Sequence, residues 1–210
     1  MNDIQEECPL CGNDGKIFYK DVFYMCNVCK GVFRSKRTRP DRSKEKARYE
    51  AHDNDVYDRG YQNFVDPITK AVKNNFSQEH EGLDFGAGTG PVISKILQDA
   101  GYDIKQYDPF FHDNDELLEQ RYHYIVCCEV IEHFHDPYKE FKLLKELLLP
   151  DGHLYCMTYL YRADIDFRLW GYKDDLTHTF FYQRETLEWI RNEFVFLDMK
   201  IDNRLIDFVC

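Results

Sequence analysis

No stretch of this 210-residue chain is apolar over the roughly 20 positions needed to cross a bilayer. That excludes a helical membrane anchor. The opening residues, Met1 to Glu7, are acidic and have no apolar segment, so no secretory leader is expected and the chain reads as cytoplasmic. Internal repeats and low-complexity tracts are absent, which argues against a repeat architecture. Positive charge is scarce. A formal net charge of −11 argues against general polyanion binding. What basic charge there is gathers in one place. Between residues 34 and 48, Arg34, Lys36, Arg37, Arg39, Arg42, Lys44, Lys46 and Arg48 face only Asp41 and Glu45, so this segment carries +6 and the remainder −17. Such a stretch is either a solvated linker or a contact for RNA or an anionic substrate.

The composition, 43% hydrophobic and 31% charged, fits a globular protein of one full domain plus a small appendage. Eight cysteines do not read as disulfides. Cys127, Cys128 and Cys156 sit in apolar runs, where cysteine acts as a small buried hydrophobe, and Cys210 is terminal. The other four form two knuckles, Cys8-Pro9-Leu10-Cys11-Gly12 and Cys26-Asn27-Val28-Cys29-Lys30-Gly31. Each Cys-x-x-Cys brings two thiolates to one ion, and two such pairs close a tetrahedral Zn²⁺ shell with no open position. The expectation is a structural zinc ribbon over residues 1–33, with short strands at Ile17–Tyr19 and Val22–Met25 around a turn at Lys20-Asp21. A segment that small buries too little surface to fold without the ion.

Residues 34–80 read as a connector and helical cover. A helix is expected from Lys44 to Tyr57. A second is expected to start at Asp66-Pro67, with Asp as cap and Pro at the first helical position, and to run to about Phe76. Tyr57, Tyr61 and Phe64 are either ligand-stacking or core aromatics. From residue 81 onward short apolar strands alternate with helices: strands at 83–86, 102–107, 122–128, 153–158, 194–201 and 204–209, and helices at 91–100, 113–119, 136–149 and 184–192. This pattern predicts an α/β fold, a doubly wound and mostly parallel sheet of about six strands.

The chemistry gathers at two places in that order. The first is Asp84-Phe85-Gly86-Ala87-Gly88-Thr89-Gly90, a strand end followed by three glycines on alternate positions and a helix. Here backbone approaches a ligand closely at a helix N-terminus. Asp108 ends the next apolar segment, as a ribose-binding carboxylate does. The second is Glu129-x-x-Glu132-His133, at the carboxyl end of the central strand, with His178 further on. Two carboxylates and two imidazoles suit a divalent ion with open positions. Alternatively His178 or His133 serves as a general base, or Glu132 and His133 merely stabilise a loop.

In their order and spacing, residues 82–210 resemble a class I S-adenosylmethionine (SAM) dependent methyltransferase. The glycine loop, Asp108, Cys128-Glu129-Val130-Ile131-Glu132-His133-Phe134 and the Pro150-Asp151-Gly152 turn carry the likeness. With the knuckles and Glu45-Lys46-Ala47-Arg48-Tyr49, the chain also resembles bacterial zinc-ribbon methyltransferases of largely undefined substrate. The resemblance implies a Rossmann-like fold and SAM bound by Asp84, Gly86, Ala87, Gly88, Gly90, Asp108, Pro109 and Glu129. It implies His178, His133 and Glu129 as catalytic residues, structural zinc on Cys8, Cys11, Cys26 and Cys29, and a possible second divalent ion on Glu129, Glu132, His133 and His178. Small-RNA 2′-O-methyltransferases and ubiquinone-biosynthesis O-methyltransferases carry similar Glu-His segments, which favours oxygen as the methylated atom. The acceptor is a small molecule or RNA, and no stable protein partner is expected. A zinc-ribbon RNA-binding or RNA-modifying protein and a noncatalytic SAM-binding module stand as alternatives. Only 13 residues separate Asp108 from Tyr122, too few for the family's helix-strand-helix. An edge strand and the usual adenine-binding acid are therefore missing, leaving Phe110, Phe111 or Glu129 to line the pocket. The connection holding Arg162, Asp164, Asp166, Arg168, Trp170 and Tyr172 is where the family builds its acceptor pocket.

Overall fold

The computed structural model describes residues 5–51 and 55–210. Its N-terminal part is a small antiparallel sheet: β1 (Gln5–Glu7), β2 (Asp14–Tyr19), β3 (Phe23–Cys26) and β4 (Val32–Arg34). The expected strand pair is present, and its turn places Lys20 and Asp21 at positive φ (52° and 51°). This sheet is not a free appendage. Cys8, Leu10, Tyr24, Cys26, Cys29 and Phe33 belong to the same buried cluster as the core of the large domain.

The connector holds α1 (Arg42–Glu50) and α2 (Arg59–Asn75). The helix expected over Lys44–Tyr57 is corrected. It starts earlier, where the Asp41 side chain accepts the Lys44 amide, and it ends at Glu50; residues 52–54 lie outside the described residues. Pro67 is likewise not a helix start. It lies inside α2, which is capped by Asp58 accepting from Gly60 and Tyr61. An interior proline costs about 3 kcal/mol. Burial of Val65, Ile68 and Val72 along one stripe, at about 1.5–3 kcal/mol each, outweighs it.

The large sheet follows. Its strands are β5 (Glu81–Phe85), β6 (Asp103–Tyr107), β7 (Tyr122–Cys128), β8 (Leu148–Met157), β10 (Asp198–Asp202) and β11 (Leu205–Val209). The intervening helices are α3 (Val92–Asp99), α4 (Pro137–Glu146) and α5 (Arg184–Glu193). Strand order is β10-β11-β8-β7-β5-β6, with β6, β5, β7 and β8 parallel and β11 and β10 antiparallel. The expected six strands are present. The short segment after Asp108 forms only a 3₁₀ turn at Asp115–Glu119, so β6 is an edge. Alternation along β7 explains the two cores: Ile125 and Cys127 face α4 and α5, while Tyr124 and Val126 face α2 and α3.

Two expectations about β8 and the cysteines are also corrected. Pro150-Asp151-Gly152 does not end a helix. It is a bulge inside β8, where Tyr122 pairs with Leu148 but Tyr124 with His153, and Asp151 takes φ 60°. A bulge asks no donor of Pro150. Cys127, Cys156 and Cys210 are buried, but Cys128 lines the central crevice.

The ninth strand in chain order, β9 (Phe180–Phe181), leaves the large domain and pairs with β4. No helix among the described residues is long and apolar enough to cross a membrane.

Candidate active site

The carboxyl ends of β5, β6 and β7 open onto one cavity of about 1090 Å³. Gly86 and Gly88, at φ 80° and 65°, turn the chain after β5. A Cβ on Gly86 would press on Val130 at 2.6 Å, whereas one on Gly88 would meet nothing and would fill the cavity. The bare Gly88 backbone is thus a cradle for close ligand approach. The Gly86 and Ala87 amides donate to the Tyr107 carbonyl, which fixes the loop against β6.

Asp108 is buried and held by three amides. Gly88 donates to its Oδ2 at 3.0 Å, and Phe110 and Phe111 donate to its Oδ1 at 2.8 and 3.2 Å. Three of about four lone-pair directions are taken. A nucleoside diol engaging this carboxylate with both hydroxyls must therefore displace one of these amides. Pro109, Phe110 and Phe111 line the same wall, and Arg42 closes it, donating to the Pro109 carbonyl at 2.8 Å with its guanidinium 4.7 Å from the Phe110 ring centroid. Sequence reasoning had not placed Arg42 here; its only sign was membership of the basic run.

Asp84 lies beneath the loop, accepting from the Ser94 hydroxyl of α3 at 2.7 Å. Burial raises its pKa to about 6, and the Asp108 charge adds to this while Ser94 opposes it. The raised value means that the unfolded chain ionises first. The penalty is absent below pH 4, grows between pH 4 and 6, and is complete above, at about 3 kcal/mol. Asp84→Asn is therefore expected to flatten the fall in apo-protein stability between pH 4 and 6. Denaturant midpoints across that range check it, and parallel curves for the two proteins would contradict it.

Glu129, His133 and His178 line the cavity as well, as do Tyr49, Tyr61 and Phe64, with the Tyr49 ring 5.3 Å from that of His133. Tyr57 stands outside the cavity, exposed to solvent. His178 is mostly buried, and its Nδ1 donates to the Tyr172 carbonyl at 2.7 Å. Burial lowers its pKa, so the imidazole is neutral at pH 7 with Nε2 as an acceptor. His133 Nδ1 donates to the Thr177 carbonyl at 3.0 Å, and the two rings stand 4.8 Å apart. Glu132 is fully buried. Its Oε1 accepts the Tyr172 hydroxyl, and its Oε2 has no hydrogen-bond partner. Burial, then the neighbouring Glu129, pushes its pKa well up.

Ligand atoms of Glu132, His133 and His178 lie within 4.8 Å of one another. Glu129, expected in the same ion site, is not in that group. Its carboxylate still meets Glu132 at the Tyr172 hydroxyl, with Oε2 3.1 Å from that oxygen, while Oε1 sits 3.7 Å from an Arg204 nitrogen. Arg204 had no sequence signal. It is positioned by stacking between Phe64 and Tyr159, at 4.0 and 4.8 Å from their ring centroids.

The long connection reaches the cavity only in part. Arg162 pairs with Asp164 and Arg168 with Asp166 at the surface, outside the cavity. Its rings Tyr161, Phe167 and Trp170 pack with Phe23 and Phe181 into a third core. From this region Asp175 and His178 reach the cavity.

In the N-terminal sheet Cys8, Cys11, Cys26 and Cys29 converge within 4.8 Å, with Cys8–Cys29 and Cys11–Cys26 sulfurs 3.5 and 3.3 Å apart. Zinc–sulfur bonds of about 2.3 Å in a tetrahedron put sulfurs roughly 3.8 Å apart. The four thiols fit that ion, and none is in a disulfide.

Comparison with known proteins agrees with this geometry. A family model described as "Methyltransferase domain" matches residues 49–196. A search of curated proteins finds no match. Among solved structures, one assigned as an O-methyltransferase, from Nostoc punctiforme, superposes with a TM-score of 0.54 at 13% identity, covering 71% of this chain and 56% of its own. A SAM-dependent methyltransferase from Archaeoglobus fulgidus gives 0.52 at 19% identity, over 66% and 71% of the two chains. Phosphoethanolamine N-methyltransferase 2 of Haemonchus contortus, solved with SAM, gives 0.51 at 16% identity, over 65% and 38%. The chain thus spans little more than half the length of the first of these. Such likeness concerns the fold. With the family match over most of the chain, the conclusion is that this protein belongs to the methyltransferase family.

Proposed function

We propose that this protein transfers the methyl group of SAM to an oxygen atom of its acceptor. The observation that carries the reading is one continuous cavity, walled at one end by the glycine cradle and Asp108 and at the other by His178 and His133. SAM, when bound, supplies an electrophilic methyl on its sulfonium. The Gly88 backbone and Asp108 would hold its nucleoside, Phe110 and Phe111 would line that wall, and Asp84 and Glu129 would supply negative charge for its amino group. His178, neutral and oriented through Tyr172, takes the proton of an acceptor hydroxyl as its oxygen displaces the thioether. Placing that oxygen in line with the methyl group is the remaining requirement.

A second reading is favoured by the unpartnered Glu132 Oε2 beside two imidazoles whose Nδ1 atoms both bond backbone carbonyls. Metal-ligating histidines are commonly oriented that way. In this reading a divalent ion on Glu132, His133 and His178 lowers the pKa of the acceptor hydroxyl. The RNA alternative is weaker. Arg34, Arg39 and Arg42 donate to backbone carbonyls within the chain, and Arg48 pairs with Asp175, so the basic stretch is largely spent internally.

Transfer of a tritiated methyl group from SAM into pools of hydroxyl-bearing metabolites tests the proposal. His178→Ala is expected to bind SAM as the wild type does and to lose transfer by about 100-fold or more. Full transfer in that variant would remove His178 from the chemistry. Metal analysis separates the two readings: one zinc per chain fits the base mechanism, and a second ion that disappears in Glu132→Gln fits the metal mechanism.

A further inference from the structure

The ribbon and the reacting turn share a backbone. Val32 pairs with Phe181 and Phe33 with Phe180, and the Arg34 amide donates to the Thr179 carbonyl at 2.8 Å. Gln183 Nε2 donates to the Lys30 carbonyl at 2.6 Å, next to Cys29 in the second knuckle. Gly31 passes directly under the Phe180 ring, where a side chain would overlap it. From the other side, the Thr179 amide donates to the Glu132 carbonyl at 2.8 Å and its hydroxyl to Phe134. The segment carrying His178 is thus stitched between the cysteine knuckle and the Glu132–His133 turn.

One buried side chain concentrates this link. Arg34 is 4% exposed, with its guanidinium 4.7 Å from the Phe23 ring centroid. Nε donates to the His178 carbonyl at 3.2 Å, and one terminal nitrogen donates to the carbonyls of Lys173 and Asp175 at 2.9 and 3.1 Å. A desolvated guanidinium bound to three carbonyls has a role only if those carbonyls must be held. They bracket the turn that aims His178 and carries the Tyr172 carbonyl orienting it. Arg34 does not line the cavity.

We infer that Arg34 is a positioning residue, through which the cysteine ribbon fixes residues 173–178 and hence the orientation of His178. The ribbon is then a brace for the acceptor side of the site, separate from the SAM side. The inference takes from the proposed function only that His178 faces the acceptor; the chain of contacts stands apart from it.

The test uses the full chain and needs no acceptor. Arg34→Met removes all three bonds, and Arg34→Lys keeps charge and stem while losing the fork. Charged hydrogen bonds contribute enough that amide exchange across residues 173–179 is expected to rise about tenfold or more in Arg34→Met, and less in Arg34→Lys. Exchange in β5 and SAM affinity by calorimetry should stay as in the wild type. The imidazole Nδ1 proton of His178, assigned by its loss in His178→Gln, should broaden or vanish in Arg34→Met at temperatures where the fold is intact. Stripping metal from the wild type with a chelator should also raise exchange across residues 173–179, there within a wider loosening because the knuckles share a buried cluster with Leu83 and Phe85. Should Arg34→Met fail to fold, Arg34→Lys decides alone. Unchanged exchange and an unchanged imidazole signal in the folded variants would overturn the inference, as would equal loosening of β5. If the wild type does not bind SAM, the proposed function fails, while the exchange result still judges the brace.

Discussion

Replacing Asp108 by Ala is expected to weaken SAM binding by about 100-fold or more. A buried carboxylate bonded to a sugar hydroxyl contributes about 1.5–3 kcal/mol per bond, and the diol offers two. The substitution also orphans the amides of Gly88, Phe110 and Phe111, which now end on this one side chain. Part of the loss therefore comes from a loosened loop. Asp108→Asn separates the two contributions. Its oxygen still receives Phe110 and Phe111, while its amide faces the Gly88 N–H, so an intermediate loss of about tenfold is expected with little change in melting temperature. Calorimetry with SAM measures both. Wild-type affinity in the alanine variant would remove Asp108 from the nucleoside site.

The second large effect is expected at the cysteine knuckles. Cys26→Ser should lose the zinc and lower the melting temperature by about 10 °C or more. Structural zinc in such small folds supplies on the order of 10 kcal/mol, and about 4 kcal/mol already shifts a domain of this size by that much. The loss should spread beyond the ribbon, because Cys26 and Cys29 lie in the same buried cluster as β7, β8, α4 and α5. Calorimetric scans with metal analysis check it. A variant that melts with the wild type, or a wild type purified without zinc, would contradict it.

How far the sequence carried this account depends on the range of the forces involved. Tyr122–Cys128 was legible because seven consecutive apolar or half-apolar residues fit only a strand buried on both faces. The start of α4 was legible because Asp136 and Pro137 form a local cap. The same signal misled at Asp66-Pro67, where an apolar stripe three to four residues apart, closing on the sheet, overrode a local rule. The bulge at Pro150–Gly152 needs the register against β7, which no local pattern encodes.

The site divides in the same way. Gly86, Gly88 and Asp108 announce themselves because a tight turn at positive φ, next to an open cavity, calls for these residue types at fixed spacing. The joining of Glu129 and Glu132 through the Tyr172 hydroxyl did not, because that residue lies more than 40 positions from Glu129 in sequence and only the fold brings it to both carboxylates. Arg34 looked like one charge in a basic run, and only the fold brings it against His178, 144 residues on.

The central claim is that a nucleoside lies across the bare Gly88 backbone with its sugar at Asp108 and its sulfur directed toward His178. A crystal soaked with S-adenosylhomocysteine tests it most directly. The ribose hydroxyls are expected within hydrogen-bond distance of Asp108, the Gly88 amide turned from Asp108 to the ligand, and the sulfur facing the imidazole across an acceptor-sized gap. Density elsewhere on the protein, with that cleft closed or holding only solvent, would contradict it.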